Sequence, residues 1–150
     1  MTEDEKYMQL ALSQAEVAGQ LGDVPIGAVL VKDGTVLAED YNRREKWNDA
    51  TAHAEMLVLR EAGSILGGWR LSGCTLYVTL EPCPMCAGAM VLARIERLVY
   101  GAADPKSGAA GSVFELVRDQ RLNHRLEVTG GILKTECANM LRSFFRERRD

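Results

Sequence analysis

Four residues in this chain have the types and spacing for metal chemistry. They are His53 and Glu55 in Thr51-Ala52-His53-Ala54-Glu55, and Cys83 and Cys86 in Glu81-Pro82-Cys83-Pro84-Met85-Cys86. One imidazole and two thiolates make three ligands for zinc and leave the fourth tetrahedral position to water, the arrangement of a catalytic rather than a structural site. A carboxylate two residues from the histidine can then handle that water's proton, which makes Glu55 the candidate base.

This geometry depends on where helices begin. Side chains two apart on an ideal helix point about 200° from one another. His53 and Glu55 therefore face one site only from a helix start, with Thr51 or Ala52 as the last non-helical residue. Cys83 and Cys86 are three apart and share one side of a turn, and Pro84 stands where a first turn tolerates proline. Both helix N-termini then point at the metal, and their positive dipole ends favour thiolate over thiol.

Other readings of these residues bear weighing. A C-x-x-C pair in an α/β chain also suits a thioredoxin-like redox motif, and His53-Ala54-Glu55 upstream argues for the metal instead. Glu81 is a rival to Glu55 as base, yet its place between a strand and a proline equally suits orienting backbone. His124, in the polar Asn123-His124-Arg125, reads as a surface or substrate-side residue rather than a ligand. Cys74 and Cys137 lie in apolar settings and read as buried thiols. Lys106-Ser107 precedes its glycines rather than following them, which rejects a P-loop.

The elements that must position these residues alternate in a pattern that suits a sheet covered by helices. Thr2 and Glu5 have capping-box spacing, and Met8, Ala11, Leu12 and Ala15 mark one face of a helix ending near Gly19 to Gly22. Segments 26–31 and 35–38 flank Lys32-Asp33-Gly34 and should pair as a hairpin. A polar loop from Arg43 to Asp49 leads to the His53 helix, which runs to Gly67-Gly68. Thr75 to Leu80 has the β-branched and aromatic content of a buried strand. Cys86 to Ile95 reads as a helix and Arg97 to Tyr100 as a strand, a β-α-β unit whose strands should be parallel. A Gly-rich loop from Asp104 to Gly111, a short helix near Val113 to Val117, a strand near Leu126 to Thr129 and a helix from about Lys134 follow.

Composition sets the frame. The 150 residues, 47% of them hydrophobic, make one ordinary globular domain over residues 1–150. The polar, acidic start Thr2-Glu3-Asp4-Glu5 does not resemble a secretory signal, and the longest strongly apolar stretch, around Ile26 to Val31, is too short to cross a bilayer. A cytoplasmic location with no membrane partner is expected, and there the four cysteines suit ligands and core thiols better than disulfides. The net charge of −3 argues against nonspecific coating of nucleic acid but allows a local basic patch.

His53-Ala54-Glu55 with Pro82-Cys83-Pro84-Met85-Cys86 resembles the cytidine/deoxycytidylate deaminase superfamily, zinc deaminases for which this constellation is already known. Further segments are similar to the bacterial tRNA-specific adenosine deaminases, which convert the wobble adenosine of an arginine tRNA anticodon to inosine. These are residues 24–29, 75–83 and 86–90, then Gly108-Ala109-Ala110-Gly111-Ser112, Asn123-His124-Arg125 and Phe144-Phe145-Arg146. The resemblance implies a three-layer α/β/α fold with a mixed five-stranded sheet and one zinc per subunit. It also implies a homodimer in which both subunits shape the site for a tRNA anticodon stem-loop. By the same analogy Asn42 binds the flipped base and the Ala54 backbone N–H helps hold the water. Asp104, Lys106 and Asn123 line the nucleotide path. A deaminase of free bases or nucleotides, such as guanine deaminase, is the alternative, and a noncatalytic zinc module that binds RNA is a lesser one. Glu55 argues against the latter, because a scaffold needs no carboxylate there.

The C-terminal helix has two readings. Arg142, Arg146, Arg148 and Arg149 can complement the helix dipole at a solvated end, with Phe144 and Phe145 in the core. Alternatively this end forms a wall of the anticodon site, with Phe145 packing on a splayed base and Arg148 and Arg149 contacting phosphates.

Overall fold

The structure, a computed structural model, describes residues 1–148. Helix α1 (Glu3–Gln20) is closed by the anticipated capping box: Thr2 Oγ1 accepts from the Glu5 N–H at 3.1 Å, and the Glu5 carboxylate accepts from the Thr2 N–H at 2.9 Å. Strands β1 (Gly27–Lys32) and β2 (Thr35–Tyr41) pair antiparallel around Asp33 and Gly34. Their φ angles of +50° and +74° give the twist that a two-residue hairpin requires. The chain continues through α2 (Arg44–Trp47), α3 (Ala54–Leu66), β3 (Cys74–Leu80), α4 (Pro84–Leu92), β4 (Arg97–Ala102), β5 (Glu127–Thr129) and α5 (Lys134–Arg148).

The five strands form one mixed sheet in the order β2-β1-β3-β4-β5. β1 is antiparallel to both neighbours, whereas β3, β4 and β5 run parallel. Alternation along each strand divides the core. Ala28, Leu30, Leu76 and Val78 meet α3 and α4 on one face, and Val29, Val31, Tyr77 and Val99 meet α1 and α5 on the other. The result is the three-layer α/β/α architecture. α5 lies close against β4 because residue 101 is glycine, where a β carbon would stand 2.4 Å from Cys137 Sγ. Cys74 and Cys137 are both buried, as their surroundings in the sequence suggest, and burial pushes the Cys137 thiol up to about 12.

Three local expectations differ from the structure. No helix forms at Val113–Val117; the segment is a turn-rich loop with an isolated bridge between Ala110 and Glu115. Its N–H groups are already taken, Val113 and Phe114 by the Gly108 carbonyl and Ser112 by the Glu81 carboxylate. Helix α4 stops at Leu92 rather than Ile95, because Arg94 adopts φ of +65° and turns buried Ile95 toward β4. The polar 43–49 segment contains α2, whose second and third N–H groups, of Glu45 and Lys46, are held by the distant Asp23 carboxylate at 2.9 and 3.2 Å.

A bidentate ion pair ties the first helix to the sheet. Arg97 donates to both Asp4 oxygens at 2.8 and 2.7 Å, and the Tyr77 hydroxyl donates to Asp4 Oδ1 at 2.8 Å. The Arg97 hydrogen bonds hold the Asp4 carboxyl below its ordinary value, against the opposing effect of burial. The stability it contributes is therefore present above the unfolded value of about 3.9 and is lost as pH falls through the lower folded value. Asp4→Asn should lower the unfolding free energy by about 1.5–3 kcal/mol at neutral pH. The gap to wild type should close as denaturant titrations move from about pH 5 to about pH 2. A gap of constant size across that range would remove this ion pair from the account.

Candidate active site

Two helix starts build the site. His53 is the N-cap of α3, with φ/ψ of −75°/148°, and Cys83 is the N-cap of α4, with −75°/172°. The last non-helical residue before α3 is thus His53 itself rather than Thr51 or Ala52. The turn bonds Ala52 N–H to Asp49 C=O and His53 N–H to Thr51 C=O carry the loop that much further. Glu55 then falls in the first turn of α3. Pro84 occupies the first turn of α4, which brings Cys86 round beneath Cys83.

His53 Nδ1 lies 3.7 Å from Cys83 Sγ and 3.5 Å from Cys86 Sγ, and the three atoms lie within 4.8 Å of one another. Ordinary zinc–nitrogen and zinc–sulfur bonds at a tetrahedral angle separate the two donors by about 3.6 Å. The donor set and its spacing therefore fit a zinc ion, and Nδ1 is the imidazole nitrogen that faces the sulfurs. The first-turn N–H groups of both helices have no intrahelical acceptor and add positive potential at this point.

Protonation follows from the same contacts. The Cys83 thiol is held down to about 4, first by the hydrogen bond from Cys86 and then by the His53 ring, which outweigh burial. Cys86 moves the other way, because its proton bonds Cys83 and because it is buried beside Glu55. His53 is raised by its bond to Cys83. The pair of sulfurs thus shares one proton, which a bound cation displaces. Glu55 is only 4% exposed, and burial raises its carboxyl above the ordinary range.

His53, Glu55 and Cys83 form the floor of a cavity of about 590 Å³ at the C-terminal ends of the parallel strands β3 and β4, the usual place for ligands in sheets of this kind. Asn42, Ala54, Asp104, Lys106 and Phe145 line it, together with His53, Glu55 and Cys83. The Asn42 amide is fixed by donating to the Val24 carbonyl at 3.1 Å and accepting from the Arg44 N–H at 3.2 Å. The Asp104 carboxylate accepts from the N–H groups of Lys106 and Ser107 and from the Ser107 hydroxyl, so it shapes its own loop. Phe145 is 48% exposed on the cavity wall and does not pack in the core.

The remaining assignments fall elsewhere. Asn123 does not line the cavity. It precedes β5, and the parallel pairing of β4 with β5 puts that segment at the opposite end of the strands, where His124 Nε2 meets the Ile95 carbonyl at 2.7 Å. Arg148 is also outside the lining and stacks its guanidinium 4.4 Å from the centre of the Phe144 ring. Arg149 lies outside the described residues. Two cations do line the cavity: Arg142, one of the arginines of the C-terminal helix, and Arg44, which nothing in the sequence placed there. Arg142 is signalled by its spacing of three from Phe145 on one helix. Arg44 depends on α2 and its cap from Asp23, a contact between segments far apart in the chain.

The class is that of the deaminases: residues 2–149 match the family of MafB19-like deaminases. The chain is 55% identical over 149 residues to the tRNA-specific adenosine deaminase of Bacillus subtilis, covering 99% of this chain and 92% of that one. A solved tRNA:A34 deaminase, described for A-to-I editing at the wobble position of transfer RNA, superposes with a TM-score of 0.87 at 50% identity. That match covers 91% of this chain and 99% of the other. A guanine deaminase from Bacillus subtilis superposes with a TM-score of 0.66 at 39% identity, over 77% of this chain and 73% of that one. The chain belongs to the tRNA-specific adenosine deaminase family.

The depressed Cys83 has a measurable consequence. In chelator-treated protein, iodoacetamide should modify Cys83 first, at a rate already level by about pH 6 rather than rising through the ordinary thiol range near 8.5. Added zinc should protect it. Labelling whose rate still climbs between pH 7 and pH 9 would contradict the thiolate assignment.

Proposed function

We propose that this chain hydrolytically deaminates adenosine to inosine at the wobble position of a tRNA anticodon, arginine tRNA being the expected substrate. His53, Cys83 and Cys86 would hold one zinc ion per subunit. The observation that carries this reading is the convergence of His53 Nδ1 and two cysteine sulfurs beside a buried Glu55, in a chain 55% identical to a tRNA-specific adenosine deaminase. When bound, zinc supplies the Lewis acidity that brings the pKa of water toward neutrality. Glu55 takes a proton from the attacking water and passes it to adenine N1 as the water oxygen bonds to C6. The carboxylate then takes the remaining proton from the C6 hydroxyl and gives it to the exocyclic amine, the C6–N bond breaks, and ammonia leaves inosine behind. Burial suits Glu55 to this task, since a raised pKa lets a carboxyl accept and release a proton near neutral pH.

The walls suit a base taken out of its stack. Asn42 holds the flipped base with the hydrogen-bonding positions its backbone contacts leave free, and the Ala54 N–H helps hold the water. Asp104 and Lys106 border the nucleotide path, Phe145 offers a face for an unstacked base, and Arg142 and Arg44 meet phosphates. A role for Asn123 in that path requires a second copy of the chain, in keeping with a homodimer. Exposed Trp69 and Leu92 beside the apolar groove between α3 and α4 support such a pairing. No described helix is long and apolar enough to cross a membrane, and a cytoplasmic location is proposed from the substrate.

Incubation with an anticodon stem-loop, read by inosine sequencing, tests the reading directly, and turnover of free guanine with none of RNA would favour the guanine deaminase alternative. Glu55→Ala should keep about one zinc per chain and lose nearly all deamination, whereas Cys83→Ser should release zinc and lower the melting temperature. Loss of zinc from Glu55→Ala, by elemental analysis, would refute its role as a non-ligand. For the wall, Arg142→Ala should reduce the slope of log affinity against log salt by about one. An unchanged slope would return Arg142 to a solvated helix face.

A further inference from the structure

Glu81 directly follows β3, is 2% exposed, and has no part in the chemistry above. Its carboxylate accepts four hydrogen bonds. Oε1 takes the Asp104 N–H at 3.0 Å and the Ser112 hydroxyl, and Oε2 takes the N–H groups of Ala110 and Ser112 at 2.9 and 3.1 Å. Those bonds fill its acceptor positions, which leaves none for a substrate or water and sets Glu81 apart from Glu55 as a base. Every donor comes from one irregular segment, 104–112. The backbone wraps closely enough that a β carbon at Gly108 would lie 2.4 Å from the Glu81 carboxyl carbon and 2.6 Å from the Asp104 carbonyl oxygen. Two backbone bonds complete the frame, Glu81 N–H to the Ala102 carbonyl and Ala109 N–H to the Pro82 carbonyl, each 2.8 Å.

One ionised side chain thus joins the strand leading to Cys83 with the loop whose residues 104–107 form the cavity rim. We propose that Glu81 is a positioning residue that holds this rim in its RNA-binding shape before the anticodon loop arrives. The proposal rests on the reading of the site as a tRNA adenosine deaminase. Three of the four donors are backbone N–H groups, which cannot accept, so a carboxylate satisfies all four, and an amide turned either way would set its own N–H groups against at least one of them. Irregular loops have no ladder of their own to order them, and a loop that must be ordered by its ligand weakens binding. Glu55 stands on α3, outside this loop, so loosening the rim acts on binding and leaves the chemical step in place.

The test measures steady-state kinetics on an anticodon stem-loop with zinc-loaded protein, alongside hydrogen exchange over residues 104–112. Glu81→Gln should raise KM about tenfold, the equivalent of one lost hydrogen bond to a charged group, while kcat stays within about threefold and zinc content is unchanged. The amides of Asp104, Ala110 and Ser112 should exchange faster. Ser112→Ala removes a single donor and leaves the carboxylate in place, so it keeps the test decisive should Glu81→Gln fail to fold, and it should show the same split at smaller amplitude. A fall in kcat at unchanged KM in a folded variant would overturn the proposal, as would wild-type KM or wild-type exchange. A wild-type protein that does not deaminate the stem-loop overturns the functional reading and this proposal together. Turnover by wild type beside a Glu81→Gln variant of unaltered KM overturns the proposal alone.

Discussion

Two helices begin at one end of the sheet with side chains of their starts meeting within 4.8 Å, and the site follows from that meeting. His53 and Cys83 occupy N-cap positions, where the backbone is still extended and the side chain is directed off the helix end. Cys86 and Glu55 come from the first turns behind them. The first-turn N–H groups at both helix ends have no intrahelical carbonyl acceptor, so the point of convergence has positive potential before any cation arrives. That potential favours a thiolate at Cys83 and offsets part of the cost of placing a carboxylate in a buried setting at Glu55.

The sheet makes the meeting possible. α3 enters from the antiparallel side, after the β1–β2 hairpin, whereas α4 is the crossover between parallel strands β3 and β4. Their starts coincide because both helices cover the same face and both emerge at the C-terminal end of β3. The opposite face carries α1 and α5 and does different work. The Asp4–Arg97–Tyr77 cluster anchors α1 to the strands, and the bare backbone at Gly101 lets α5 approach until Leu141, Arg142 and Phe145 reach the cavity mouth.

Polar groups around the cavity divide into those engaged in holding shape and those left free. Asn42, Asp104 and Glu81 are largely engaged by neighbouring backbone, which fixes their direction and stiffens the segments they bind. Glu55 is buried with its pKa raised, and Lys106, Arg142 and Phe145 stand open at the rim. This separation leaves the rim open to a polyanion and keeps the Glu55 carboxyl away from bulk solvent.

Much of the fold was legible in the chain because its signals are local. The Thr2–Glu5 capping box, the Asp33-Gly34 turn, the β-branched run before Leu80 and the proline inside the first turn of α4 each act within a few residues. The convergence of His53, Cys83 and Cys86 was equally legible, since metal chemistry restricts residue type and spacing at once. The segments that misled were those whose backbone groups find distant partners. The 113–117 loop loses its helix to the Glu81 carboxylate and the Gly108 carbonyl, and α2 exists where Asp23 reaches across to cap it. The place of Asn123 was not a local matter either, since the parallel pairing of β4 with β5 sets it at the far end of the strands. Residue chemistry thus determined what the site could do. Tertiary hydrogen bonds decided which residues surround it, because a backbone donor satisfied by a remote carboxylate is no longer free to follow its local preference.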